Sequence, residues 1–428
     1  MIVLRNDRDY NLTRLKILQG KITSVWAGDF FFNGVHTHPV LPFNYLTSNF
    51  TNFEKGLDEH IKMQYHLSGY GATFDEALRG FLGETAERYS FAVLSQFIRD
   101  RIVKKSYSYL INKFGIEYVF PFEYINVYYP EGAQNYIDKT DEILWVRMNS
   151  LVDPNCSFFA PLQLVISGGS YIYPEEKEYT LSAVSTGTAC HETVLHALDN
   201  ALIECLQIDS FELWWYGGFQ GVPVVLDNQN FLKMYFNPDS VSQFLSNFSL
   251  SFTDITFDKC IPIYVCEIIG KKDGLPKYTV GVQGGSSQER TLYRCLMEAL
   301  SVLEYNMGLP WIDHKRWNSV SSDIKNIKNF DDNVIKYAKY GKPHLQMKQS
   351  NFVSTKRCSS PLTYVKRNYP QSGYLVITAP EFQHLNLEVV RVCIPGLIVL
   401  SLPSYPPQYH PRFLSNEGIS NYAAHPLA

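Results

Sequence analysis

Two periodicities divide the chain into strand-like and helix-like segments. Short apolar runs rich in β-branched and aromatic residues lie between Gly, Pro and Asn turns, at 261–269, 374–378 and 389–399. Such runs predict β-strands. Three longer segments repeat apolar residues with the helical period, at about 74–90, 192–215 and 288–305. The mixture predicts an α+β or α/β class, and we expect α+β.

The first helical segment has a clear start and a carboxylate on its apolar face. Thr73 and Glu76 form a capping-box pattern, in which each side chain satisfies a backbone N–H of the first turn. Glu84 and Arg88 share the sector of the apolar residues, and Glu87 flanks it. An exposed Glu84–Arg88 pair, which stabilises a helix by only tenths of a kcal/mol, is the alternative.

The second helical segment carries its few polar side chains in one narrow stripe. His196, Asn200, Glu204 and Gln207 follow one another at intervals of three or four residues. A thin solvated face is the ordinary interpretation of such a stripe. Solvated stripes are usually rich in Lys and in charges, whereas this one has a His, two amides and one carboxylate. It therefore fits a polar pocket at least as well.

The third helical segment repeats the arrangement. Arg290, Arg294, Glu298 and Ser301 lie on one side of it, and apolar residues lie on the other. Similar local patterns in all three helices indicate a weak internal repetition. If the helices pack side by side, four glutamates converge, namely Glu84, Glu87, Glu204 and Glu298.

Converging carboxylates indicate a divalent cation. Several acids in one pocket repel one another unless a cation neutralises them, and a set of oxygen ligands favours Mg²⁺ over zinc. With Arg88, Arg290 or Arg294 nearby, the group would form a cradle for a nucleoside triphosphate. The sequence has no GxxxxGK[ST] or GxGxxG motif, so such a site is of another design. It also lacks the hydrolase motifs GxSxG and HExxH.

The composition limits the classes of binding partner and the cellular location that we expect. Of the 428 residues 45% are hydrophobic and 19% charged, which predicts a well-packed globular protein. A net charge of −4 disfavours nucleic-acid binding. No apolar run is long enough for a membrane span, and the N-terminal residues do not resemble a secretion signal, so we expect a cytoplasmic location. Eight scattered cysteines without a CxxC pair are expected to be free thiols.

The three acidic helices together resemble the YcaO family. The segment 69–90 is similar to the family stretch that ends in ExxER, here Glu84, Glu87 and Arg88. The segment 185–217 resembles its S-x-G-x-A motif and second acidic helix, and YRCLMEAL at 293–300 resembles the third motif. Four linking pieces also resemble the family and occur in its order, at 160–165, 254–265, 329–338 and 392–397.

The resemblance implies a YcaO-type fold, with mixed β-sheets and helices around a carboxylate-lined ATP and Mg²⁺ site. It implies ATP-dependent activation of a backbone amide, so that a Cys, Ser or Thr side chain of a precursor peptide closes a thiazoline or oxazoline ring. Glu84, Glu87, Glu204 and Glu298 would then hold Mg²⁺. ATP would be bound by five residues, namely Gly80, Arg88, Gln207, Arg290 and Arg294.

Two features depart from the family pattern. The second helix often carries ExxER in the family, but here Gln207 and Ile208 replace the second acid and the arginine. This replacement resembles standalone cyclodehydratase subunits of thiazole/oxazole-modified microcin pathways. The proline-rich tail of azoline-forming members is reduced to His425 and Pro426, for which we expect a catalytic role. A frayed terminus is the alternative.

The extent of the resemblance suggests an organisation. We expect residues 1–60 to pack on or complete the YcaO domain, 61–403 to form that domain, and 404–428 to reach toward the active site. A separate ThiF-like partner subunit would bind the leader of the precursor peptide, and an FMN-dependent azoline dehydrogenase would join the complex. The polar stretch 318–360 is the candidate for partner contact. Thioamidation, macroamidine formation and a catalytically inactive docking scaffold remain alternatives.

Overall fold

The computed structural model describes most of the chain. The described residues are 18, 25–26, 31–33, 41–50, 66–166, 173, 176–181, 185–272, 274–349, 352 and 360–427. The expected N-terminal segment 1–60 therefore lies largely outside the described residues, and so does part of the expected contact stretch, at 350–351 and 353–359.

In the part of the chain that the structure describes, three antiparallel sheets form the scaffold, which confirms the expected α+β class. The first sheet has the order β1-β2-β3, with β1 Phe31–Asn33, β2 Asn44–Asn49 and β3 His66–Gly71. The second has the order β4-β5-β12-β13-β7, with β6 paired to β5; its strands are β4 Ile102–Ser106, β5 Glu142–Ser150, β6 Ser157–Pro161, β7 Thr188–His191, β12 Gly373–Val376 and β13 Glu388–Cys393. The third has the order β11-β10-β9-β8, with β8 Val222–Pro223, β9 Phe248–Asp254, β10 Ile263–Gly270 and β11 Tyr278–Gly284.

Helices cover these sheets. The three long ones are α1 Phe74–Ala92, α3 Val194–Trp215 and α6 Gln288–Ile312. The shorter ones are α2 Tyr107–Phe114, α4 Asn228–Lys233, α5 Pro238–Asn247, α7 His314–Ser319, α8 Phe330–Tyr340, α9 Pro361–Asn368 and α10 Pro411–Leu414. No helix among the described residues is long and apolar enough to cross a bilayer.

The first and third long helices begin where the sequence predicts, and the second begins at Val194, two residues after its predicted start at 192. The Thr73 hydroxyl accepts from the Glu76 N–H at 3.3 Å, as a capping box requires. The carboxylate of Glu76 accepts from the Ala72 N–H at 3.1 Å, one residue earlier than the standard pattern. The third helix runs to Ile312, past its predicted end at residue 305.

Aromatic side chains fill much of the interior. Tyr and Phe are unusually abundant, at 29 and 27 residues. Among the largest fully buried side chains are Trp145, Trp215, Tyr216 and Phe81. Large rings bury more apolar area than aliphatic side chains do, so part of the aromatic excess builds the core.

One cysteine departs from the expectation of free thiols. Cys205, Cys266 and Cys295 are free and buried, in keeping with that expectation. Cys260, in contrast, is disulfide-bonded. The expectation is wrong for Cys260, because spacing along a sequence does not reveal which thiols a fold brings together.

Candidate active site

The three long helices belong to three similar strand–helix units. Each helix follows a strand that lies at the edge of a different sheet: α1 follows β3, α3 follows β7 and α6 follows β11. Each helix has a hydroxyl residue at its N-cap, namely Thr73, Thr193 and Ser287. The internal repetition suggested by the sequence is thus a repetition of a whole structural unit.

One glutamate occupies the same position in every unit. Glu84, Glu204 and Glu298 each come eleven residues after the N-cap of their helix. Each accepts a hydrogen bond on Oε2 from a backbone N–H in or next to the strand of its own unit, namely from Ser68 at 3.1 Å, Gly187 at 2.9 Å and Val282 at 3.2 Å. A fixed backbone donor orients a carboxylate and favours its charged form.

The units also pack in a cycle. Helix α1 packs against β7 of the second unit, α3 packs against β11 of the third, and α6 packs against β3 of the first. This closed order brings the three glutamate-bearing helix faces toward one another. The three helices therefore converge through contacts with one another's strands, instead of packing side by side as the sequence-based expectation supposed.

The electrostatic environment shows that the carboxylates are neighbours. Burial raises the pKa of Glu87 well above its usual value, Arg88 opposes the shift, and the charges of Glu204 and Glu84 add to it. Burial likewise raises the pKa of Glu84 and of Glu204, and in both Arg88 is the strongest opposing charge. Glu84 and Glu87 belong to the first unit and Glu204 to the second, so the acids converge across a unit boundary.

Glu298 joins the same group from the third unit. Burial raises the pKa of Glu298 to about 7, against the opposing effects of its hydrogen bonds from Gln283 and Val282 and of the Arg294 charge, while Glu204 raises it further. The Gln283 side chain donates to Glu298 Oε2 at 2.8 Å. A carboxylate poised near neutrality is typical of functional sites.

Arg88 lies between two of the acids. Its Nε is 3.9 Å from Glu84 and 3.7 Å from Glu87, and its side chain is 24% exposed. The i,i+4 pair suggested by the sequence therefore exists. It lies in a partly buried acidic group instead of on an open surface.

The other residues expected to bind ATP lie on the same helices. Gly80, Arg290 and Arg294 are exposed. Arg294 and Gly80 are both the seventh residue after their N-caps, so they occupy equivalent positions in the third and first units. The structure thus places Arg294 one helical turn before Glu298, and Gly80 one turn before Glu84. Each lies on the same helix face as its glutamate. Their contact with ATP stays a prediction.

Gln207 is buried between the second and third units. Its Nε2 donates to the Val282 carbonyl at 2.9 Å, and its Oε1 accepts from the Gly284 N–H at 2.8 Å. Both amide atoms therefore already have backbone partners. A phosphate-binding role for Gln207 stays a prediction, and its geometry is that of a strand contact.

The structure does not bring His425 to the glutamate group. The His425 side chain is fully buried near the C-terminal end of α3, where its Nε2 lies 2.9 Å from the Ser401 carbonyl and its ring packs against Phe211 and Tyr216. Trp215 at the end of α3 is eleven residues beyond Glu204, which corresponds to about 16 Å along a helix. The catalytic role expected for His425 and Pro426 stays a prediction, and it requires the tail to leave this position.

The tail is ordered instead of frayed. Asn333 Nδ2 donates to the carbonyls of His425 and Leu427 at 2.7 Å each, and Trp215 Nε1 donates to the Ala423 carbonyl at 2.8 Å. These bonds hold the segment against α3 and α8.

Arg391 is a buried cation close to the acidic group, and the helical patterns of the sequence do not indicate it. Its guanidinium donates to the carbonyls of Leu164 at 2.8 Å, of Val165 at 3.2 Å and of Thr186, next to Gly187. Its charge acts on Glu87 and Glu204. The available signal was an arginine inside the apolar strand EVVRVC, since a buried charge needs partners.

The acidic group suits Mg²⁺ bound together with phosphates. Among the described residues, no three His, Cys, Asp or Glu side chains are grouped tightly enough to hold a metal ion unaided. Mg²⁺ is usually held by one or two carboxylates plus substrate phosphates and water, so a closed cage is not required. The raised pKa values of Glu84, Glu204 and Glu298 reflect desolvated charges that a divalent cation would stabilise.

Solved structures with the same fold support this assignment of the architecture. The E. coli microcin synthetase McbBCD complex with pro-MccB17 bound contains a chain with a TM-score of 0.63 and 13% identity, over 96% of this chain and 99% of that one. YcaO from Methanopyrus kandleri, bound with AMPPCP and Mg²⁺, gives a TM-score of 0.51 and 12% identity over 94% and 95%. A heterocyclase in complex with substrate and cofactor gives 0.59 and 16% over 98% of this chain, which spans only 57% of the heterocyclase.

Sequence comparison gives the family. No curated protein sequence matches the chain. A family model described as YcaO cyclodehydratase, ATP- and Mg²⁺-binding, matches residues 68–398. This match begins within β3 at Ser68, the residue that anchors Glu84, and includes all three long helices. The chain therefore belongs to the YcaO family of ATP- and Mg²⁺-binding cyclodehydratases.

Proposed function

We propose that this chain is the ATP-dependent cyclodehydratase subunit of a peptide-modifying synthetase. The observation that carries the proposal is the set of three equivalent glutamates, each anchored by a backbone N–H and gathered by the cyclic packing of three units. Such anchoring presents carboxylate oxygens at fixed positions, as metal-assisted phosphoryl transfer requires.

The reaction converts Cys, Ser or Thr of a ribosomal precursor peptide into thiazoline or oxazoline. The side-chain nucleophile adds to the preceding carbonyl carbon, and the former amide oxygen leaves as phosphate when the C=N bond of the ring forms. Bound ATP supplies the phosphoryl group, so the products are the azoline, ADP and phosphate. Phosphorylation converts a poor leaving group into a good one.

The chain's own residues supply positioning and charge. Glu84, Glu87, Glu204 and Glu298 would hold Mg²⁺ at the centre of the three units. Arg88, Arg290 and Arg294 would stabilise the negative charge of the phosphates, and the exposed face at Gly80 leaves room for them. Arg88 already lies within ion-pair distance of two of these acids, so its charge is next to the proposed Mg²⁺ site.

Partners follow from the same proposal. A precursor peptide is the substrate, and a separate ThiF-like subunit binds its leader. An FMN-dependent azoline dehydrogenase would complete a thiazole- or oxazole-forming complex of the bacteriocin or microcin type in the cytoplasm. The similar E. coli structure is a multi-subunit microcin synthetase with a precursor bound, which supports this assembly. A catalytic tail at His425 and Pro426 is part of the proposal and depends on release of the tail.

Reconstitution tests the function. The chain, its partner subunit and a precursor rich in Cys and Ser are incubated with ATP and Mg²⁺, and the peptide mass and released phosphate are measured. We expect the peptide to lose the mass of one water per ring, with one phosphate released for each loss. Precursor binding without a change of mass would instead identify a docking scaffold. A mass change that depends on a sulfur donor would identify thioamidation. Macroamidine formation also removes one water per ring, so tandem mass spectrometry of the product decides between a macroamidine and an azoline: Cys, Ser and Thr side chains left unmodified in a peptide that has lost water would identify a macroamidine.

A further inference from the structure

Gln207 joins the second unit to the third through two backbone hydrogen bonds. Its amide donates to Val282 and accepts from Gly284, two residues further along β11. The Gln207 side chain therefore makes two hydrogen bonds that the backbone of a neighbouring strand would otherwise make. Among the described residues β11 lies at the edge of its sheet, with β10 paired on one side, and Gln207 holds the end of β11 from the other side.

The same short stretch of β11 orients Glu298. The Val282 N–H and the Gln283 side chain both donate to Glu298 Oε2, at 3.2 and 2.8 Å. Residues 282–284 thus lie between Gln207 of α3 and Glu298 of α6. A shift of this strand end would move both donors of Glu298 together.

The contact needs a side chain that donates and accepts at the same time, which an amide does at every pH and a carboxyl group does only when it is protonated. A carboxylate at position 207 could accept from Gly284 but could not donate to the Val282 carbonyl, and it would bring a buried negative charge next to that oxygen. The equivalent positions of the other units carry Glu87 and Ser301, three residues after their glutamates. Ser301 instead donates to the carbonyl of its own helix at Glu298, at 2.8 Å. The strand contact of Gln207 thus differs from the contacts of its two equivalents.

We propose that Gln207 is a positioning residue that pins the end of β11, and thereby sets the carboxylate of Glu298 for Mg²⁺, and that it is not itself a phosphate or metal ligand. This inference rests on the proposed Mg²⁺ role of Glu298. It explains why the second helix tolerates the loss of an acid at this place: the side chain supports the neighbouring unit.

Binding measurements on the full chain test the inference without turnover. Mg²⁺ affinity is measured by calorimetry with a non-hydrolysable ATP analogue present, together with thermal unfolding. We expect Gln207→Met, which keeps the length but removes both hydrogen bonds, to weaken Mg²⁺ binding about tenfold, as loss of an outer-shell partner does. Gln243→Met makes the same change at an exposed position of α5 and should bind as the wild type does.

A double-mutant cycle separates positioning from general stability. If Gln207 acts through Glu298, Gln207→Met should weaken Mg²⁺ binding in the wild type but have no further effect in Glu298→Gln. Equal effects in both backgrounds would overturn the inference. If Gln207→Met does not fold, the isosteric Gln207→Glu decides: weaker binding supports the strand contact, and tighter binding identifies a ligand position and overturns it.

Failure of the inference can be told from failure of the proposed function. Unchanged Mg²⁺ binding in Glu298→Gln would remove the metal role of Glu298 and with it the basis of the inference. Weak binding in Glu298→Gln together with wild-type binding in Gln207→Met would leave the metal role in place and overturn the positioning role alone.

Discussion

The backbone N–H of Gly187 donates to Glu204 Oε2 at 2.9 Å. Gly187 has a φ of +88°, a left-handed conformation that residues with a side chain rarely adopt. A Cβ at this position would lie 2.8 Å from the Cys205 Sγ and 2.9 Å from Val392 Cγ2. The donor that orients the second glutamate thus depends on the absence of a side chain.

Replacement of Gly187 by alanine should therefore damage both the fold and the site. Left-handed strain and crowding together predict a loss of roughly 2–5 kcal/mol of unfolding free energy, and displacement of the donor should weaken Mg²⁺ binding. Gly132→Ala is the matched control, because Gly132 has a φ of +83° and no atom within 4 Å of the added Cβ. It should lose about 1 kcal/mol from strain alone and bind Mg²⁺ normally. Denaturant unfolding and calorimetry measure both quantities, and equal effects of the two variants would contradict the expectation.

Neutralising a central glutamate should stop turnover and preserve the fold. Glu298→Gln and Glu84→Gln keep an oxygen for the backbone donors but remove a charge that the proposed metal site needs. We expect the rate of ring formation to fall below about 1% of wild type, since electrostatic stabilisation of this kind contributes two to three orders of magnitude. The far-UV circular dichroism should be unchanged. Glu289→Gln, an exposed residue in the first turn of the same helix, is the control. A rate near wild type in either central variant would show that the replaced glutamate is not needed as a ligand of the proposed metal ion.

Local periodicity predicts the three helices and their polar faces, because residues three or four apart lie on the same face of a helix. The donors of the three glutamates were not predictable in the same way. Ser68, Gly187 and Val282 precede their glutamates by sixteen or seventeen residues, and backbone donors leave no side-chain signal. The cyclic packing of the units is likewise a property of tertiary structure.

The surroundings of individual polar residues are less predictable from the sequence than the helices are. Gln207 lies in a stripe that suits a polar pocket, yet its partners are backbone atoms of a strand that comes 75 residues later. His425 resembles part of a catalytic tail, but burial and the Ser401 carbonyl hold it in the interior. In both cases the long-range partner decides the environment, and no local pattern specifies that partner.

Glu212 should make the stability of the protein depend on pH. It is fully buried on α3 and accepts from the N–H and hydroxyl of Ser401 at 3.0 and 3.2 Å. Burial raises the pKa of Glu212 to about 8, against the opposing effect of these hydrogen bonds. Between its ordinary pKa and about 8, the folded protein keeps a proton that the unfolded chain releases, so stability falls as the pH rises through this window.

We expect Glu212→Gln to flatten this dependence. The amide imitates the protonated acid, so the variant should lack the decline of about 1.4 kcal/mol per pH unit that this group contributes within the window. Denaturant unfolding between about pH 5 and pH 8 measures the slope. Glu142→Gln, at an exposed position of β5, should retain the wild-type slope. A slope in Glu212→Gln as steep as that of the wild type would show that Glu212 is ionised in the folded protein throughout.

Replacement of Arg391 should destabilise the second unit. The planar guanidinium donates to carbonyls of two separate segments, around Leu164 and around Thr186, and a lysine ammonium cannot reach both in the same geometry. Arg391→Lys should therefore leave buried carbonyls without donors and reduce the unfolding free energy by roughly 2–4 kcal/mol. Because the donor loop at Gly187 adjoins Thr186, the affinity for Mg²⁺ should fall as well.

Arg147→Lys, at an exposed position of β5, is the control for Arg391→Lys and should change neither the stability nor the affinity for Mg²⁺. Thermal unfolding and calorimetry at one pH measure both effects. Wild-type stability in Arg391→Lys would show that the charge alone, without the fork of hydrogen bonds, supports the site.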